Sequence, residues 1–177
     1  MAHEIEYRAD RSQWSFAFTG GRESIWHSNG QNAKPEWSVA EWQYNSGHDF
    51  TVSKIPLAGI RRDEAADSTH YHKVDSHQLL IRDDTHAALS VVSSEWHPTQ
   101  NADGWAFVEP FVKEGFADYD TAGTLFDGQI CFLLHKTKEG FSLPGADDTE
   151  GYLFVQISHR YANADLALPT SVRVIWN

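Results

Sequence analysis

The chain has 177 residues, the length of one domain, and 41% of them are hydrophobic, with seven Trp and ten Phe, which excludes a disordered chain and requires a packed core. Fourteen Lys and Arg stand against 25 Asp and Glu, a formal charge of -11, which excludes a protein that coats duplex DNA through a basic face.

Residues 1–35 are rich in Gly, Ser, Asn and aromatics, and Thr19-Gly20-Gly21-Arg22 and Asn29-Gly30-Gln31-Asn32 read as turns, so this stretch is expected to be an extended N-terminal arm with short strands. Ser38 and Glu41 form a capping box, and Trp37 meets Trp42 as a hydrophobic staple. A short helix follows from about Val39 to Asn45, stopped by Gly47. Phe50 to Leu57 alternates in part, and Pro56 assigns it to a sheet edge. Arg61 to Ser68 is charged and without period, which reads as a mobile loop. His77–Arg82 and Ala87–Val92 flank Asp83-Asp84-Thr85-His86 as a β-hairpin.

Asn101 or Asp103 can cap a helix running to about Glu114, with Trp105, Val108, Phe111 and Val112 at helical spacings, Pro110 as a kink and Gly115 as the stop. A second hairpin joins Asp120–Leu125 to Gln129–Leu134 through Phe126-Asp127-Gly128, and strands at Gly151–Ser158 and Ser171–Trp176 close the chain. The expectation is one domain over residues 1–177 in the α+β class: a mainly antiparallel sheet holding both hairpins, one principal covering helix and a short N-terminal helix.

The lone Cys131 excludes an intramolecular disulfide and any multi-cysteine zinc site. The opening Met1-Ala2-His3-Glu4-Ile5-Glu6 lacks the apolar stretch of a signal peptide, and no apolar run is long enough to span a bilayer. A cytoplasmic protein with no membrane partner is expected.

The runs Phe16-Ala17-Phe18-Thr19-Gly20-Gly21, Ile25-Trp26-His27, Ile81-Arg82-Asp83-Asp84-Thr85 and Leu89-Ser90-Val91-Val92-Ser93 occur in an order that resembles a phage- and plasmid-borne family of unknown function, of the DUF932 type. Thr121 to Gly128, Ile157-Ser158-His159 and Val172 to Asn177 continue the resemblance over nearly the whole chain. Relatives of that type continue beyond the position of Asn177, so the chain resembles a short form. The resemblance implies a mobile-element setting, with work on nucleic acid or against host defence, and assigns no catalytic residue.

Candidate chemistry is sparse. His70 and His72 share one face of an extended strand and His77 falls on the other, so the three are weak metal candidates that need Asp75 and a distant His97 or His159 to complete a set. The adjacent pairs Asp83-Asp84 and Asp147-Asp148 suit turns better than acid/base catalysis, and Cys131 lies in an apolar strand, where a thiol is inert. No phosphate-cradling loop with its Lys and no nucleophile elbow occurs, and no cofactor is expected. Single-strand binding needs only aromatic stacking beside local positive charge, and the candidates are Arg61, Arg62 and Lys73 beside Tyr71, and Arg22 beside Trp26.

Three readings follow. The first is a non-enzymatic accessory protein that binds or anneals single-stranded nucleic acid, with homo-oligomer formation allowed. The second is an acidic anti-defence inhibitor that binds a basic host protein such as a nuclease or a CRISPR-type complex. The third is a metal-dependent enzyme built on the His cluster.

Overall fold

The computed structural model describes residues 4–20, 30–138 and 149–173. In chain order the elements are β1 (Tyr7–Arg8), β2 (Gln13–Trp14), β3 (Phe16–Phe18), β4 (Gln31–Asn32), α1 (Val39–Ser46), β5 (Val52–Asp63), β6 (Ser68–Arg82) and β7 (Ala88–Ser93). After them come α2 (Asn101–Lys113), β8 (Ala117–Leu125), a 3₁₀ turn over Phe126–Gly128, β9 (Ile130–Thr137), β10 (Thr149–Ser158) and β11 (Leu166–Arg173).

Helix α1 forms as its caps dictate. The Glu41 N–H donates to the Ser38 hydroxyl, and the Ser38 N–H donates to the Glu41 carboxylate at 2.7 Å. Trp37 and Trp42 meet edge to face at 5.6 Å, which fixes the entry of the chain. Gly47 ends the helix at φ 73, and a side chain there would strike Ser15.

The fold is mixed α+β and its sheets are mostly antiparallel, β3 with β4 being a parallel pair. A six-stranded sheet has the order β11-β10-β9-β8-β3-β4, and a three-stranded sheet the order β5-β6-β7. The expectation that both hairpins share one sheet is therefore corrected: β6 and β7 belong to the smaller sheet, β8 and β9 to the larger. Both edges of β6 are already taken, by β5 and β7, so the two sheets meet through side chains instead. Leu80, Leu89 and Val92 from the small sheet pack in one cluster with Cys131 and Ile157 from the large one.

Helix α2 lies on the large sheet, with Trp105 and Val108 buried among Ala122, Leu133 and Val155. Gly104 permits the close approach, since a Cβ there would lie 2.2 Å from Ile157 Cδ1. The expected burial of Phe111 is corrected, for Phe107 and Phe111 stay exposed and pack against each other at 5.9 Å. The N-cap is Gln100 rather than Asn101 or Asp103, although the Asp103 carboxylate accepts the Gln100 N–H. The Gln100 amide instead bridges the N–H and C=O of Val52, which ties α2 to the start of β5. The helix runs through Pro110.

The stretch read as an N-terminal arm does hold short strands, but Phe16, Ala17 and Phe18 in β3 are fully buried and β3 pairs with β8. These residues are core.

Candidate functional site

The strands β5 and β6 are far longer than the segments Phe50–Leu57 and His77–Arg82 expected from sequence. Beyond a register shift at Pro56/Leu57 they continue as a two-stranded ribbon, from the pair Leu57 and Val74 to the pair Asp63 and Ser68. Seven residues at about 3.3 Å each make an arm roughly 20 Å long. The segment read as a mobile loop from Arg61 to Ser68 is thus corrected to paired strand closed by the four residues Glu64–Asp67. The Asp63 carboxylate accepts the N–H groups of Ala65 and Ala66 and shapes that turn. Neither face of the arm is buried, so its sequence carries no hydrophobic alternation from which a strand could be read.

Cross-strand register decides which candidate residues come together. Ile60 pairs with Tyr71, Ala58 with Lys73 and Arg62 with Thr69, and these six share one face. Arg61 pairs with His70 and Gly59 with His72, which places Arg61 and both histidines on the opposite face. Ile60 and Tyr71 are 70% and 71% exposed, so this directly opposed apolar pair stands in solvent. Lys73 pairs with Asp75 at 2.5 Å and Arg62 with Asp67 at 3.8 Å, exposed contacts that a ligand phosphate can displace. Alternation along β5 carries the Ile60 and Arg62 face down to the side on which Lys54 Nζ donates to the carbonyls of Ser94 and Trp96. Arg22 and Trp26, the other predicted nucleic-acid candidates, lie outside the described residues.

His77 sits past the irregular pairing at Asp75–His77, opposite Ser93 of β7, outside the ribbon that carries His70 and His72. His159 is buried in the body, where its Nε2 meets Asn101 Oδ1 at 2.9 Å, so it does not join them. Among the described residues no three His, Cys, Asp or Glu side chains form a metal-binding group.

A cleft opens beside β7 below the root of the arm. Its volume is about 220 Å³, and Val92, Ser93, Trp96, His159, Arg160 and Tyr161 line it. An adjoining open trough of about 570 Å³ shares Ser90, Arg160 and Tyr161 with it and reaches His77 and Val91.

Sequence reasoning missed a buried charge network at the end of β6 away from the arm. Arg82, 1% exposed, donates to both oxygens of Asp84, to Glu6 Oε1 at 2.5 Å and to the Asp127 carbonyl, and its guanidinium lies 3.8 Å above the Phe50 ring. Arg8 joins through Asp84 and Asp10. Burial opposes the Arg82 charge, and Asp84 and Glu6 outweigh it, so the guanidinium stays protonated. Burial likewise opposes the Asp84 charge, and Arg82 and Arg8 hold its carboxyl below the usual range. Asp83 is held low by the hydroxyls of Ser53 and Thr51. The pair Asp83-Asp84 is thus engaged in fixing its hairpin. Asp147 and Asp148 lie outside the described residues. Burial pushes the Cys131 thiol up to about 12, so it stays protonated at neutral pH.

Comparison with known families matches residues 88–177, just over half of the chain, to DUF932, described as a domain of unknown function. No curated protein and no solved structure matches the chain. The matched part holds β7, α2, the cleft and the 3₁₀ turn, while β5, β6 and the whole of the arm precede it. The chain belongs to the DUF932 family.

Proposed function

We propose that the protein is a non-enzymatic accessory protein of nucleic-acid transactions, in the phage or plasmid setting that the family resemblance implies, and that it binds single strands through the β5–β6 arm. One observation carries this reading: the register places Ile60, Arg62, Tyr71 and Lys73 on a single solvent-facing side of the ribbon. Tyr71 offers a stacking surface to a base, Ile60 widens it, and the two cations flank it at the spacing of the strand. A duplex hides its base faces, so such a platform favours unpaired strands.

The arm also accounts for how a chain of charge -11 can approach a polyanion. Between Leu57 and Val74 the cations Arg61, Arg62 and Lys73 equal the carboxylates in number, and Asp63, Glu64 and Asp67 are confined to the tip. The arm's length of roughly 20 Å exceeds the screening length of about 8 Å at physiological salt, so most of it lies beyond the field of the acidic body.

The test is fluorescence anisotropy of a labelled single-stranded oligonucleotide and its duplex. The single strand binds more tightly, and its affinity falls as salt rises, with a slope near 0.7 per neutralised phosphate. The absence of any shift with micromolar protein at low salt overturns the reading. The net charge of -11 favours a second one, an acidic inhibitor of a basic host nuclease or CRISPR-type complex, which predicts that absence together with salt-sensitive retention of a basic protein.

A further inference from the structure

We propose that the cleft beside β7 is a pocket for one unpaired nucleobase, whose ring lies against Trp96 and Tyr161, whose N–H donates to His159 Nδ1 and whose phosphate meets Arg160. The inference deepens the single-strand reading and rests on it for the source of the base.

The chemistry of His159 points to a donor-bearing ligand. Asn101 Nδ2 donates to the Phe50 carbonyl at 3.1 Å, so Asn101 Oδ1 is the atom that accepts from His159 Nε2–H at 2.9 Å. The proton on Nε2 leaves Nδ1 as a bare acceptor. It is buried and has no hydrogen-bond partner among the described residues, while the residue itself lines the cleft. A buried acceptor without a donor is uncommon in a folded chain, and every nucleobase carries an N–H able to supply one.

Size and walls agree with this assignment. A cleft of about 220 Å³ is smaller than the roughly 300 Å³ at which sites for drug-sized ligands begin, so it takes one ring system rather than a larger molecule. Trp96 and Tyr161 provide aromatic surface, and Tyr161 is 72% exposed with nothing packed over it to be displaced. Its neighbour Ala162 is held at φ 64, a conformation that alanine adopts only under constraint. Arg160 has no carboxylate partner among the described residues and touches the Phe126 ring at 5.3 Å. It faces both the cleft and the trough, where a sugar-phosphate chain leaving the pocket would run past His77 toward the arm.

The test measures binding of deoxyadenosine monophosphate, of deoxyribose 5-phosphate and of a labelled single-stranded oligonucleotide to the full chain. The nucleotide binds at least about tenfold more tightly than the base-free sugar phosphate, Tyr161→Ala weakens it by a similar factor, and Tyr161→Phe restores it, because stacking needs the ring and not the hydroxyl. Tyr161 is exposed, so these variants fold even where His159→Ala does not. Competition by the oligonucleotide identifies the base as one within a strand, and lack of competition identifies a free mononucleotide. Equal binding of the sugar phosphate, or nucleotide binding indifferent to Tyr161→Ala, overturns the pocket. Oligonucleotide binding that survives Tyr161→Ala, where the nucleotide itself does not bind, overturns it too, and leaves the arm reading standing. Nucleotide binding without oligonucleotide binding rejects the arm and keeps the pocket.

Discussion

Replacing His135 by leucine should make the protein more resistant to acid. His135 is 1% exposed, its ring nitrogens make no well-formed hydrogen bond among the described residues beyond a weak approach to the Leu153 backbone, and its ring meets Tyr119 at 5.3 Å. His48 and His159 are buried as deeply, and burial pushes all three imidazoles down to about 4 from an ordinary 6.5. Because the folded value lies below the unfolded one, the unfolded chain takes up protons first, so stability is lost as pH falls from 6.5 toward 4. Each buried imidazole costs about 2 kcal/mol at pH 5 and about 3 kcal/mol once the loss is complete, at 1.4 kcal/mol per pH unit. Three of them remove about 6 kcal/mol at pH 5 from a domain whose total stability is about 5–15 kcal/mol. Asp83 and Asp84, held low in the folded state, add to acid unfolding only near and below their ordinary 3.8. The window from pH 7 to 5 therefore reports the histidines. Leucine is close to His135 in volume and gives up only the weak approach to the Leu153 backbone, so His135→Leu should be near neutral at pH 7 and about 2 kcal/mol more stable than the parent at pH 5. Urea unfolding followed by tryptophan fluorescence at pH 7, 6 and 5 measures this as a loss of one third of the pH slope. An unchanged slope, or a variant destabilised equally at every pH, would refute the reasoning.

Arg82→Met should cost about 3–5 kcal/mol in the same assay, because it leaves Glu6 and Asp84 facing each other without their shared cation. A loss under 1 kcal/mol would show that the network is solvated. Ser38→Ala removes one side of the capping box and should cost about 1 kcal/mol with no change in pH slope.

Local signals were legible where one residue type does one job. The Ser38/Glu41 box, the Trp37–Trp42 staple and the Gly47 stop specify α1 without tertiary information, and the structure realises each of them. Pro56 pointed to a sheet edge, and β5 is an edge strand of its sheet. What could not be read is pairing at a distance. Nothing in Phe16-Ala17-Phe18 announces that it joins β8 a hundred residues later, so a core strand reads as part of an arm. The β5–β6 ribbon lacked the period-two pattern because water reaches both of its faces, and its charges therefore read as a loop. The same absence concealed which cations act together, since Arg61 and Arg62 are neighbours in sequence and opposite in space. In sequence His159 reads as a distant metal ligand, and only the Asn101 contact shows which of its nitrogens is bare. The signal available for the charge network was Arg82-Asp83-Asp84 in a hairpin turn, where a buried arginine is unusual, but its partner Glu6 lies 76 residues away.

The claim that one face of the arm holds the strand is tested most directly by anisotropy of a labelled single-stranded oligonucleotide with single-face variants of the arm. All of them alter exposed side chains, so folding is preserved. Tyr71→Ser should weaken binding by about 1–3 kcal/mol, the worth of one stacked base, and Arg62→Gln with Lys73→Gln should lower the salt slope by about 1.4. Arg61→Gln, on the opposite face, should leave both quantities nearly unchanged. Equal losses from Arg61→Gln and Arg62→Gln, or full affinity in Tyr71→Ser, would contradict the account.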